Sequence, residues 1–265
     1  MTWLDLLGRG VTASPSPVES GRFGVSMARV VVGQEAVWDD ALRDDLVAAC
    51  ARDEDVLVVR WPSRLVECGA VLAACGRDVV PADTLVYWEA PAAMLAKSGP
   101  ELANELQVRR GGATPPDLDD LVGRAFAGYV NHYTANPLLR RDLVVEGYVD
   151  WVRRTVRSDP GRLAVLAHHQ RSVGMATWFV DPAGDFVEIL LAGLVPEARR
   201  RGWYGLLLAE VGRVASGAGS ARVVISTQGA NVSVQRAWVR AGFAPFASVT
   251  TAHAVRRGLL PGRSP

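Results

Sequence analysis

Residues 194–208, LVPEARRRGWYGLLL, constrain this chain more than any other stretch. An apolar, β-branched run over residues 187–195 stops at Pro196, and an Arg/Gly turn follows. Leu206, Leu207, Leu208, Val211 and Val214 then recur at helical spacing. The pattern predicts a strand, a basic turn and a helix. The first amides of a helix have no intrahelical partner, and the helix dipole adds partial positive charge there. Glycine lets the backbone approach phosphate oxygens closely. A turn built from Arg199, Arg200, Arg201, Gly202, Trp203, Tyr204 and Gly205 ahead of such a helix therefore suits a pyrophosphate group.

A second constrained stretch spans residues 225–243. Asn231 is placed to cap a helix. Val234 and Trp238 fall four apart, on one helical face. Gly242 is placed to end that helix in a left-handed cap, with Phe243 packing back.

Around these stretches the composition is that of a globular protein. The 265 residues are 49% hydrophobic and 22% charged, enough for one or two domains with full cores. The net charge of +1 gives no overall bias toward nucleic acid or membrane, and neither partner is expected. The charge is uneven, however: residues 197–265 hold ten Arg against Glu197 and Glu210, a local balance that suits a polyanionic ligand. Cys50, Cys68 and Cys75 are odd in number and fit no zinc spacing, so they read as small buried residues and no metal is expected. Residues 1–10 lack a charged and apolar leader pattern, and no run reaches membrane-spanning length, so the expected compartment is the cytoplasm.

Taken in order, residues 1–20 read as a loose leader around Ser14-Pro15-Ser16-Pro17. Strands are expected at 27–32, 56–61 and 84–89, separated by helices at 38–52 and at 63–75, the latter capped by Ser63 and ended by Gly76. This gives a βαβαβ module over residues 1–110. The Pro- and Gly-rich residues 90–116 mark a boundary, and 101–110 within them read as strand or helical turn. A second domain over 117–265 follows as helices at 117–129 and 142–156 and strands at 163–168, 173–180 and 186–195. It ends with a helix at 205–215, a strand at 222–226, a helix at 231–241 and a strand at 247–255.

Arg199-Arg200-Arg201-Gly202-Trp203-Tyr204 resembles the Arg/Gln-x-x-Gly-x-Gly/Ala motif of the GNAT superfamily of N-acyltransferases, with Tyr204 at its last small position. Residues 231–243 resemble the second signature of that superfamily, with Trp238 where the family has its tyrosine general acid. Residues 20–30, 83–89, 133–139 and 148–152 are similar to segments of the TDP-fucosamine acetyltransferase branch. The resemblance implies an α/β GNAT fold from about residue 117, preceded by an N-terminal α/β module. It also implies an acyltransferase using acetyl-CoA or another acyl-CoA, with direct attack by a small-molecule amine. An amino sugar or sugar nucleotide is the implied acceptor, and a homodimer is compatible with the class.

Carried over residue by residue, the resemblance places the pantetheine between strands 186–195 and 222–226. Gly193 permits a bulge that aims an amide near Leu194 and Val195 at the thioester oxygen. Residues 199–205, Asn231 and Trp238 complete the acetyl-CoA site, and Glu188 takes the place of the carboxylate that deprotonates the amine. An indole N–H supplies no proton at neutral pH, so the thiolate takes its proton from water or another side chain, or catalysis is weak; His253 is one substitute acid and Tyr204 another. Asn131, His132 and Tyr133 would border the acceptor pocket. His168 and His169 read as exposed polar residues without a third metal ligand at suitable spacing. Two other readings stay open: an acyltransferase for another small amine or a protein N-terminus, and a non-catalytic module that binds acyl-CoA.

Overall fold

A strand covered on both faces needs apolar side chains on both, and the sequence supplies several such runs. β3 (Val56–Pro62) is buried at every position, and β6 (Leu163–His168) and β8 (Phe186–Leu194) nearly so. These runs are inner strands of one mixed ten-stranded sheet in a computed structural model that describes residues 2–100, 105–112 and 114–261. Before β3 come β1 (Val11–Pro15), α1 (Pro17–Phe23), β2 (Met27–Val32) and α2 (Asp40–Cys50). After it come α3 (Glu67–Ala74), β4 (Asp78–Pro91), α4 (Ala92–Leu95), β5 (Leu106–Arg110), α5 (Leu118–Ala125) and α6 (Asp142–Ser158). The chain closes with β7 (Arg171–Val180), α7 (Tyr204–Gly217), β9 (Arg222–Gln228), α8 (Val232–Arg240) and β10 (Ala244–Val255).

The strand order is β1-β2-β3-β10-β4-β9-β8-β7-β6-β5. Its centre is an exchange. β2 and β3 are parallel around α2, as β8 and β9 are parallel around α7. β1 is antiparallel to β2, as β7 is to β8. The strand that closes each half crosses over: β4 pairs with β9, and β10 pairs with β3, while β4 and β10 pair with each other. The order β1-β2-β3-β10 thus repeats, reversed, as β4-β9-β8-β7. Strand order and direction thus repeat in the two halves with the last strands exchanged, and the sheet runs without a break across the boundary expected near residues 90–116.

Most elements lie where the sequence pattern places them, and the exceptions are informative. The expected loose leader holds β1 and α1, and Leu6 ahead of them is fully buried. Ser63 does not cap α3, which begins at Glu67 with Val66 at its N-cap. Of residues 101–110, Leu106–Arg110 is strand, and 101–104 lie outside the described residues. α8 ends in a Schellman arrangement: the Phe243 N–H donates to the Trp238 carbonyl at 2.9 Å, and Gly242 has a φ of +91°. The three cysteines are free thiols, with Cys50 and Cys68 buried.

α7 is held against α4 at a glycine. A Cβ on Gly212 would lie 2.5 Å from the Ala96 nitrogen and 2.8 Å from the Leu95 carbonyl carbon, so two backbones would have to part. Gly212→Ala gains about 1 kcal/mol of helix propensity, but overpacking of this kind costs about 1–3 kcal/mol. A net loss is expected, read as a lower urea midpoint at unchanged m-value. An unchanged midpoint would show that α4 moves aside freely.

Candidate acyl-transfer site

The site begins where a parallel strand pair comes apart. Pairing of β8 with β9 runs from Phe186 opposite Arg222 to Ile189 opposite Ile225 and stops, although β8 continues to Leu194 and β9 to Gln228. On the other edge of β8, Thr177 pairs with Leu191 but Trp178 with Ile189, so Leu190 is the extra residue of a bulge. The bulge expected at Gly193 is therefore at Leu190. Gly193 pairs regularly with Met175, and it is small because a Cβ there would lie 3.3 Å from the Ala125 Cβ of α5. Leu194 pairs with Gly174 at the end of β8, and beyond the strand the Val195 N–H donates to the Val173 carbonyl at 3.0 Å.

The basic turn divides its arginines. Arg199 ties the turn down: its guanidinium donates to the carbonyls of Leu194 at 3.1 Å and Ala125 at 3.0 Å. Arg200 (φ +64°) and Gly202 (φ +77°) are both left-handed, a conformation that is costly for the arginine and easy for the glycine. Arg200, Arg201 and Gly202 are exposed. The Arg201 guanidinium lies 4.9 Å from the Trp203 ring, and Trp203 in turn meets His168 with 4.8 Å between ring centroids. The Gly205 and Leu206 amides fold back onto the Gly202 and Trp203 carbonyls. Residues 200–202 thus form an exposed turn just ahead of the start of α7, the combination an anion needs.

Beyond the turn, side chains from four elements converge. The Trp238 Nε1–H donates to the Tyr204 hydroxyl at 3.3 Å. Burial pushes the Tyr204 phenol above its ordinary range, so the hydroxyl keeps its proton. Asn231 stands at the N-cap of α8 without capping its backbone. Its amide instead donates to Thr227 Oγ1 at 3.0 Å. Thr227 lies 3.0 Å from the Tyr129 hydroxyl, which donates to Gln228 Oε1. That chain of bonds joins the free end of β9 to the segment after α5.

A cavity of about 460 Å³ opens at the same place, lined by Leu190 and Leu191 of β8, Ser226 and Gln228 of β9, and Tyr129. Of the residues expected at an acceptor pocket, Asn131, His132 and Tyr133 all line it. His132 and His253 form a buried pair whose tautomers the geometry fixes. The Leu138 N–H donates to Asn136 Oδ1 at 3.0 Å, which orients the amide so that Nδ2 donates to His253 Nδ1 at 3.1 Å. His253 Nε2 then carries the proton toward His132 Nδ1, 2.9 Å away, leaving the other proton on His132 Nε2. Burial lowers both rings, His253 to about 3, so both are neutral. Both His253 nitrogens are used in holding the 131–136 loop, which makes it a positioning residue in this structure.

Glu188 lies on β8 but not among the cavity's lining residues. The Trp3 N–H donates to its Oε2 at 2.6 Å, and the N-terminal turn covers it. Burial raises its carboxyl to about 8. His168 and His169 are joined by Glu105, each ring nitrogen within 3.4 Å of one carboxylate oxygen. A third acidic or ligating group is therefore present where the spacing along the chain offered none. Sequence reasoning missed Tyr129 and the arginines Arg22, Arg29, Arg60 and Arg154 that also line the cavity. Arg60 alone carried a signal, as a charge inside the otherwise apolar run Val56–Pro62. Among the described residues no helix is long and apolar enough to cross a membrane.

No protein-family model matches the chain. No curated protein matches it either. Solved structures do. A GCN5-related N-acetyltransferase from Sphaerobacter thermophilus aligns over 97% of this chain and 79% of its own, at 15% identity and a TM-score of 0.57. A tandem GNAT protein from the clavulanic acid biosynthesis pathway, without acetyl-CoA, aligns over 88% and 76% at 17% identity and 0.60. A GCN5-related N-acetyltransferase from Kribbella flavida aligns over 90% and 82% at 16% identity and 0.53. At these identities the likeness is one of architecture. The chain has the GNAT acetyltransferase fold.

Proposed function

We propose that the chain is an acyl-CoA-dependent N-acyltransferase, using acetyl-CoA and a small-molecule amine. The observation that carries this reading is the coincidence of three features at one point. The β8–β9 pairing stops after Ile189 and Ile225, β8 bulges at Leu190, and the cavity opens between the freed strand ends. A parallel pair that separates leaves unpaired backbone groups on both edges, which is costly unless something else pairs with them. An extended amide-bearing chain such as pantetheine is suited to that slot, and the exposed turn at residues 200–202 lies just ahead of α7 for a pyrophosphate.

Acetyl-CoA supplies an acyl group already activated as a thioester, so the protein's tasks are holding, orienting and proton transfer. Arg200 and Arg201 supply positive charge at the turn. The 131–136 loop, pinned by the Asn136–His253–His132 bonds, forms a wall of the acceptor cavity. Tyr204, whose hydroxyl receives the Trp238 N–H and keeps its proton, is the candidate to protonate a departing thiolate. The scattered similarity to the TDP-fucosamine branch supports an amino sugar or sugar nucleotide as acceptor.

Calorimetric titration with acetyl-CoA and with CoA tests the reading. Micromolar binding is expected. Reversing two charges against a pyrophosphate in Arg200→Glu/Arg201→Glu should weaken it by about tenfold or more, since charge-assisted contacts are worth about 1.5–3 kcal/mol each. No binding of either ligand by the unaltered protein would sink the reading.

A further inference from the structure

We propose that Glu105, His168 and His169 form a binding site for a divalent transition-metal ion of the zinc class. The three residues meet at the outer edge of the sheet, and the site stands apart from the acyltransferase reading. Glu105 directly precedes β5, the edge strand, and Leu106 pairs with His168 at the end of the β5–β6 ladder. The His169 N–H extends that ladder by donating to the Glu105 carbonyl at 3.2 Å. Backbone pairing therefore places all three side chains at one end of two strands.

The turn between β6 and β7 then brings the two rings together. His168 pairs with Arg171, so His169 and Gln170 form a two-residue loop, and both are left-handed, with φ of +46° and +67°. Asn-Gly is the favoured pair in such a loop, and His-Gln adopts it at a backbone cost. Successive residues along a strand point to opposite faces. Here the left-handed turn sets the His169 ring beside the His168 ring instead, with 4.3 Å between centroids. The His168 ring also packs on Trp203 at the N-cap of α7, with 4.8 Å between centroids, which limits its motion.

The separations suit ligands of one ion better than a direct ion pair. Glu105 Oε2 lies 3.4 Å from His168 Nε2 and 3.3 Å from His169 Nε2. A charge-assisted hydrogen bond would close to about 2.7–2.9 Å. Zinc–ligand bonds of about 2.0–2.1 Å at the tetrahedral angle hold neighbouring ligand atoms about 3.3–3.4 Å apart. One ligand atom from each of the three residues lies within 4.8 Å of the others. The side chains of Glu105 and His169 are 59% and 62% exposed, which leaves His169 room to close on an ion and the fourth position to water. Two imidazoles and one carboxylate suit Zn²⁺, Ni²⁺ or Cu²⁺, whereas Mg²⁺ and Ca²⁺ take oxygen ligands. Bound there, the ion would clip the edge strand to the β6–β7 turn.

The test is calorimetric titration of the full, untagged chain with Zn²⁺. The chain has four histidines, and the other two, His132 and His253, form the buried pair, so imidazole-dependent binding reports on this site. A single ion should bind with micromolar affinity, and Mg²⁺ should not bind. Glu105→Gln and His169→Asn should each weaken Zn²⁺ binding by about tenfold or more. Asparagine accepts the left-handed turn, so both variants should keep at least the unaltered urea midpoint in chelator, which separates lost ligation from lost folding. Cys75→Ser removes the half-buried thiol and should leave binding unchanged. No Zn²⁺ binding at millimolar concentration, binding indifferent to Glu105→Gln and His169→Asn, or binding lost in Cys75→Ser would overturn the proposal.

Discussion

Tyr204→Phe is expected to lower kcat by about 10²–10³-fold with any accepted amine, with little change in acetyl-CoA affinity. The argument is one of proton direction. Trp238 stands where the resemblance to the GNAT signature implies a tyrosine acid, and an indole N–H does not ionise at neutral pH. In this structure that N–H donates to the Tyr204 hydroxyl at 3.3 Å. A hydroxyl that accepts there has its own proton free to point elsewhere, and the bond stabilises any negative charge left on the oxygen after transfer. In the proposed function the pair would do jointly what one tyrosine does alone. Trp238→Phe then serves as the second arm: it removes the donor and keeps the proton, so a loss of about tenfold or less is expected, roughly the worth of one neutral hydrogen bond. Both variants should be checked for unfolding midpoint, because Phe at 204 leaves the buried Trp238 N–H without its partner. A Tyr204→Phe enzyme within twofold of the unaltered kcat would place the proton on another group, with the Tyr129 hydroxyl next in line.

Where the sequence was legible, local rules and the final fold agreed. β6 and β2 have the bounds that the apolar runs predict, and the helix stop at Gly242 follows from the need for a left-handed residue there. The leader was misread because its prolines serve two grammars. Pro15 ends an edge strand and Pro17 opens α1 at its first turn, so a string that reads as a loop is a strand end joined to a helix start. β4 runs longer than its apolar part because Pro81 sits at a register shift against Ala252, where a missing N–H is tolerated. The repeat of strand order is not marked by like helix starts: α7 follows an Arg/Gly turn, whereas α2 is capped by the Asp39 carboxylate on the Leu42 N–H at 2.7 Å. The cavity's arginines were invisible for a related reason. They come from four elements spread between residues 22 and 154, and nothing local says that they meet.

Stability should depend on pH with two opposed slopes, and Glu188→Gln should remove one of them. Burial raises the Glu188 carboxyl from its ordinary 4.5 to about 8. Between those pH values the folded state holds a proton that the unfolded state has released, so stability falls as pH rises through the window. Each tenfold change in the ionisation constant is worth about 1.4 kcal/mol, which puts the accumulated loss at roughly 3–5 kcal/mol by pH 8. His132 and His253 act in the other direction. Their folded values lie below the ordinary 6.5, His253 at about 3, so the unfolded state binds more protons there and stability falls as pH drops below 6.5. From pH 6.5 to 8 Glu188 acts without the histidines. In that interval the urea midpoint of the unaltered protein should decline, while that of Glu188→Gln stays flat and lies higher at pH 8.5. Glutamine keeps an oxygen for the Trp3 N–H, so the substitution removes the charge and spares the bond. Parallel curves for the two proteins would mean that the Trp3 amide holds Glu188 ionised throughout. That outcome also bears on catalysis, because a carboxyl that keeps its proton at neutral pH beneath Trp3 takes none from an amine, whereas an ionised one stands ready to.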